Sequence, residues 1–190
     1  MIMNTPILDF VKKYNDEKPI RLHMPGHKGL LAPFDITEIN GADVLYNSNG
    51  VIADSQENAS LIFGTAKTVY SVEGSSLCIR AMLFLVKEYA KLNNKAPKIL
   101  AGRNAHKTFV TATALLDLSV SWLYSDNSDF LSCKIDIINL EEKIKSENPV
   151  ALYITSPDYL GNISDISEIS KICKRYGVLL IVDNAHGSYL

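Results

Sequence analysis

Leu179-Leu180-Ile181-Val182 is an unbroken apolar run that leads directly into Asp183-Asn184-Ala185-His186-Gly187. A strand with one wet face alternates apolar and polar residues. A strand that is apolar throughout is covered on both faces, as inside a parallel sheet sandwiched by helices. The polar residues then fall at the carboxyl end of the strand, the edge where open α/β sheets hold ligands. A helix and a further strand are expected to cover such an element, yet only Ser188, Tyr189 and Leu190 follow it. The chain therefore reads as the front portion of a larger enzyme.

The rest of the pattern agrees with an α/β class. Thr5-Pro6 predicts a helix start, with Ile7, Leu8, Val11 and Tyr14 on one face. Residues 19–49 are interrupted by Pro25-Gly26, Gly29, Pro33, Gly41 and Asn47-Ser48-Asn49-Gly50, so this long segment is irregular and expected to serve the site or an interface. A helix is predicted from Asp54 to Phe63 or Gly64, and alternation follows. Strands are predicted at Lys67–Val72, Lys98–Ala101, Val120–Tyr124, Val150–Thr155 and Val178–Val182. Helices are predicted at Ser75–Asn93, His106–Asp117, Asn139–Ser146 and Asp165–Tyr176. Asn139-Leu140-Glu141-Glu142 reads as a capping box and Gly177 as a helix end. Strands separated by helices make β-α-β units and a mainly parallel sheet with helices on both faces, here incomplete at its carboxyl-terminal side. The expected division is an N-terminal helix and irregular segment at 1–53 and a sheet domain at 54–190.

Composition narrows the function classes. Of 190 residues, 47% are hydrophobic and 21% charged, which suits a globular core. Lys and Arg number 19 against 21 Asp and Glu, a formal charge of −2, which provides no electrostatic footprint for nucleic acid or an anionic membrane. Cys78, Cys133 and Cys173 form no Cys-x-x-Cys pair and suit a reducing, cytoplasmic setting. The apolar runs are too short to span a bilayer.

Three stations at the ligand edge carry candidate chemistry. Gly74-Ser75-Ser76 opens the long helix, where a glycine lets backbone approach an anion and unpaired N–H groups and hydroxyls can cradle a phosphate. A glycine turn with a serine cap is the plain alternative, and neither standard nucleotide-loop pattern occurs. His106, in Arg103-Asn104-Ala105-His106-Lys107, sits where it can stack on a planar ligand or simply cap a helix. Asp183 follows four apolar residues and needs a cationic partner in a partly dry setting, which a protonated pyridine nitrogen can be. His23 and His27 flank Pro25-Gly26, so they are no helical zinc pair. Ser156-Pro157-Asp158-Tyr159-Leu160-Gly161 is a pocket wall or a turn.

These stations, with His23-Met24-Pro25-Gly26-His27-Lys28-Gly29 and Thr155-Ser156-Pro157-Asp158-Tyr159-Leu160-Gly161, resemble the bacterial ornithine/lysine/arginine decarboxylase family, pyridoxal-phosphate enzymes of the aspartate-aminotransferase fold. They occur in the family's order over nearly the whole chain. The resemblance implies that Ser75 and Ser76 hold the cofactor phosphate, with Gly74 permitting the approach. It implies that His106 stacks on one face of the ring and Ala185 packs on the other. Asp183 would pair with the ring nitrogen, and His186 would lie near the ring oxygen or the aldimine. The implied substrate is lysine, arginine or ornithine, decarboxylated to a polyamine-type amine by a cytoplasmic homodimer or larger assembly. The sequence departs from the family at Asn184, where Glu is usual, and at Ser76, where Thr is usual. The family's Schiff-base lysine lies in a Ser-x-His-Lys element that these residues lack, so the 190-residue chain alone is expected to be inactive and poorly stable. Competing readings are an aminotransferase or carbon–sulfur lyase of the same fold, a non-catalytic truncated chain, and a metal-dependent hydrolase using His106, Asp183 and His186.

Overall fold

A computed structural model describes residues 4–125 and 132–187. The chain divides into two compact units, Met1–Tyr70 and Ser71–Leu190.

In the first unit, α1 (Pro6–Asp16) and α2 (Val51–Phe63) are joined by a segment whose only regular element is a 3-10 turn at Leu45–Asn47. Thr5 is the N-cap residue of α1, but its hydroxyl bonds the Asp9 carboxylate at 2.9 Å rather than a backbone N–H. Of the predicted apolar face, only Val11 is buried, and Ile7 and Leu8 stay exposed. The second helix starts at Val51 rather than Asp54 because an upstream carboxylate caps it. Asp43 accepts the N–H groups of Gly50 (2.8 Å), Ile52 (3.0 Å) and Ala53 (3.4 Å), besides those of Val44 (2.7 Å) and Asn49 (3.1 Å). Partial burial alone would raise its pKa. The backbone donors more than offset that and hold it at about 2.

The strand predicted at Lys67–Val72 does not form. A strand exists only through a ladder, and these residues join none among the described residues. Val69 and Val72 are exposed, and the Tyr70 hydroxyl donates instead to the Ser55 carbonyl at 2.9 Å.

The second unit is the predicted parallel α/β sheet. After α3 (Gly74–Leu92) come β1 (Lys98–Gly102), α4 (Lys107–Leu115), β2 (Ser119–Leu123), α5 (Ile137–Glu147), β3 (Ala151–Thr155), α6 (Ile166–Tyr176) and β4 (Leu179–Asp183). The strand order is β2-β1-β3-β4, and every pairing is parallel. On one face, Ile79, Leu83 and Val86 of α3 and Phe109 and Ala112 of α4 cover Ile99, Ala101, Tyr153 and Ile181. On the other, Leu140 and Ile144 of α5 and Ile169 and Ile172 of α6 cover Leu100, Leu152 and Ile154. The connections running toward β4 carry α5 and α6, and the one running back to β2 carries α4. Opposite faces for opposite directions is what crossovers of a single hand produce.

At two helix ends a local sequence signal meets opposite outcomes. Gly177 closes α6 in the left-handed conformation, as the sequence predicts. The capping box predicted at Asn139 is not the start of α5. Asp136 is the N-cap, accepting the Ile138 N–H at 2.9 Å, and Asn139 lies inside the helix with its amide on Asp136 Oδ2. An ionised carboxylate in extended backbone just before Ile137-Ile138 is the better acceptor for the first free N–H groups.

Candidate active site

The strand order reverses direction between β1 and β3: β1 leads to β2 on one side, and β3 leads to β4 on the other. A crevice is expected at the carboxyl ends of strands flanking such a switch point. Residues from β1, β3 and β4 arrive there, together with the start of α4.

Asp183 is the last residue of β4 and is only 6% exposed. Its ladder partner is Thr155, the last residue of β3. Side chains alternate along a strand, so Asp183, Thr155 and Tyr153 share the sheet face covered by α3 and α4. Asp183 accepts the Tyr153 hydroxyl on Oδ2 at 2.8 Å and the Ala185 N–H on Oδ1 at 3.2 Å. A carboxylate has about four lone-pair directions, so further acceptor capacity remains. No Lys, Arg or His pairs with it among the described residues. The Thr155 hydroxyl beside it on the ladder is buried without a hydrogen-bond partner.

His106 is the N-cap of α4, with Nδ1 accepting the Thr108 N–H at 3.2 Å. The helix-capping alternative is thus a structural fact, and it orients the ring. In the neutral imidazole it leaves the proton on Nε2. Thr108 also ties this helix start to the start of α3, its hydroxyl lying 3.2 Å from that of Ser76. Two helix N-termini therefore stand side by side, each with unpaired donors at the positive end of its dipole. Gly74 begins α3 at φ +62°, a region that residues with a side chain rarely adopt, and a Cβ there would meet nothing within 4 Å. Ser75 beside it is exposed.

The turn after β4 carries the remaining candidates. Ala185 and His186 are exposed, and the His186 ring lies 4.8 Å from that of Tyr159. Gly187 is buried, and a Cβ there would come within 2.7 Å of the Pro157 ring and closer still to the Asn184 amide, so any side chain here would force a shift. That close approach seats the turn after β4 on the turn after β3. Asp158 in the latter turn is buried and accepts the N–H groups of Leu160 and Asn162, both at 2.9 Å, so it organises the loop. A cavity of about 520 Å³ opens nearby, lined by Cys133, Thr155, Asp158, Asn162 and Asp165 among others. His106, Asp183 and His186 are not in its wall.

Sequence reasoning missed Tyr153 and Thr108, and took Thr155 only as the first residue of the Thr155–Gly161 stretch. A tyrosine in an otherwise aliphatic strand was the available signal for the first, and the second had none. In the first unit, His23 Nε2 lies 2.6 Å from the Tyr14 hydroxyl, and His27 Nε2 lies 3.1 Å from Asp35. Among the described residues no group of three or more His, Cys, Asp or Glu is placed to hold a metal ion. No described helix is long and apolar enough to cross a membrane.

These residues suit a phosphorylated pyridine. The buried carboxylate can still accept an N–H, and helix starts with serine hydroxyls suit an anion. The chain superposes on a PLP-bound C-S lyase from Staphylococcus hominis with a TM-score of 0.52 and 13% identity, covering 94% of this chain and 40% of that one. A ColD variant aligns with a TM-score of 0.56 and 16% identity over 97% of this chain and 40% of that one. Among sequences, the uncharacterized protein YaaO of Bacillus subtilis (strain 168) is 28% identical over 98% of this chain and 41% of its own length. An arginine decarboxylase of Halalkalibacterium halodurans is 28% identical over 98% of this chain and 40% of its own length. The chain thus spans about two fifths of these relatives. Residues 31–190 match the major domain of the Orn/Lys/Arg decarboxylases, and the chain belongs to that family.

Proposed function

We propose that this chain provides the cofactor-binding part of a pyridoxal-phosphate-dependent decarboxylase acting on a basic amino acid: lysine, arginine or ornithine. The observation that carries the reading is Asp183. It is a buried carboxylate at the ligand edge with acceptor capacity to spare and no cation of its own among the described residues. A protonated ring nitrogen satisfies that arrangement, whereas an isolated buried charge is costly.

In this reading Ser75, Ser76 and the N–H groups at the start of α3 would hold the phosphate, with Gly74 allowing close approach. His106, fixed by its cap to Thr108, would lie against one ring face and Ala185 against the other. His186 would stand beside the ring. When bound, pyridoxal phosphate supplies an electron sink for the pair left behind as carbon dioxide departs. Asp183 would keep the proton on the ring nitrogen, and the packed helices on both sheet faces keep water from its buried side.

The substrate class rests on family membership and on relatives named arginine decarboxylase. A relative from Methanosphaera stadtmanae named probable L-tyrosine/L-aspartate decarboxylase is 31% identical over 62% of this chain. Aspartate and tyrosine are therefore the informative contrast. The protein expressed from its complete gene, supplied with pyridoxal phosphate, is expected to release carbon dioxide from at least one of arginine, lysine and ornithine. Release from none of the three, or from aspartate or tyrosine alone, contradicts the substrate class.

A further inference from the structure

We propose that Tyr153 is a positioning residue for Asp183: its buried hydroxyl fixes the carboxylate and takes up part of its charge before the cofactor arrives. The inference deepens the functional reading above and rests on it.

The remainder of β3 is Ala151, Leu152, Ile154 and Thr155, so a phenol is out of character there. Its ring body is accounted for by packing. Tyr153 is fully buried, and its centroid lies 4.2 Å from that of Phe109 at 33°. A phenylalanine would fill the same space, so the hydroxyl is the one group that packing does not explain. That hydroxyl lands on Asp183 Oδ2 at 2.8 Å. Register explains how it gets there. Tyr153 pairs with Ile181 and Thr155 with Asp183, so the long side chain reaches one strand repeat forward, on the shared face, to the carboxyl edge.

Burial, and then the carboxylate it faces, push the Tyr153 phenol well above its ordinary range, so it stays a donor. A carboxylate that accepts a hydroxyl proton is a weaker base toward any second proton. The proton shared with a ring nitrogen then rests closer to the nitrogen, which is the form that draws electrons. With Ala185 N–H on Oδ1 and Tyr153 on Oδ2, the carboxylate is also held against rotation from both sides.

The test loads the protein expressed from its complete gene with pyridoxal phosphate carrying ¹⁵N in the ring and reads that nitrogen's resonance. Tyr153→Phe is expected to move it toward the value of neutral pyridine. Site-specific replacement of Tyr153 by 3-fluorotyrosine, a stronger donor, is expected to move it the opposite way. The second variant keeps the hydroxyl and carries the test if the first does not fold. A resonance that neither change moves, with cofactor bound, overturns the inference and leaves the hydroxyl a merely satisfied buried group. A wild-type protein that takes up no labelled cofactor overturns instead the reading on which the inference rests.

Discussion

Phe109 joins the core of the second unit to its ligand edge, and truncating it makes the packing argument measurable. Its side chain is fully buried, 4.2 Å from the ring of Tyr153 and edge-on to Trp122 at 5.9 Å. Phe→Ala in a packed core costs about 3–5 kcal/mol through lost transfer energy and the cavity left behind. Two aromatic contacts, each contributing about 0.5–1.5 kcal/mol, place Phe109→Ala near the middle of that range or above, at about 4 kcal/mol. At about 1.4 kcal/mol per tenfold change, that corresponds to exchange roughly 10³ times faster for amides that exchange only when the whole unit opens. The β3 amides are such a set, because that strand is paired on both sides by β1 and β4. Hydrogen–deuterium exchange of peptides spanning residues 151–155 reads it directly. Phe84→Ala is the control: that ring sits on α3 but is 50% exposed, and a surface change of about 0.5 kcal/mol alters exchange only about twofold. Exchange in Phe109→Ala within a few-fold of wild type, or an equal effect from Phe84→Ala, would refute the packing described.

Asp183→Asn keeps the shape and removes the charge, and it is expected to lower pyridoxal-phosphate-dependent carbon dioxide release by on the order of 10²-fold, measured with saturating cofactor. Gly74→Ala is expected to lower the thermal midpoint through backbone strain alone, since φ is +62° and space is open. Gly74→Asn should cost less, because asparagine tolerates that conformation. Asp43 titrates at about 2 when folded, below its ordinary value of 3.8. Its stabilising effect is therefore complete above about pH 4 and is lost as pH falls through about 2. Asp43→Asn is expected to speed exchange of the first α2 amides at neutral pH and to remove the acid dependence that wild type shows in that window.

The parallel sheet was legible because β3 and β4 are apolar on both faces and the helix between them has amphipathic spacing. The ligand edge followed, since a residue placed just after such a strand can only lie there. The placement of Asp183 and His106 at that edge was readable in this way from position alone. Tyr153 was not, because its ring reads as core and its hydroxyl matters only once register sets it against Asp183. The role of Asp43 was hidden for a related reason. It caps a helix that starts eight residues downstream, at Val51, whereas capping signals in sequence are local. Lys67–Val72 has β propensity but joins no ladder among the described residues, and a strand is made by its neighbours. The misplaced start of α5 came from weighing a four-residue pattern above the carboxylate of Asp136, three residues before it.

The most direct measurement is a crystal structure of the protein expressed from its complete gene with pyridoxal phosphate bound. The expected result has the ring nitrogen within hydrogen-bond distance of Asp183, the phosphate at the first turn of α3 beside Ser75 and Ser76, and the His106 imidazole over the ring. A cofactor seated elsewhere, or an Asp183 carboxylate with no donors besides Tyr153 and Ala185, would contradict the account.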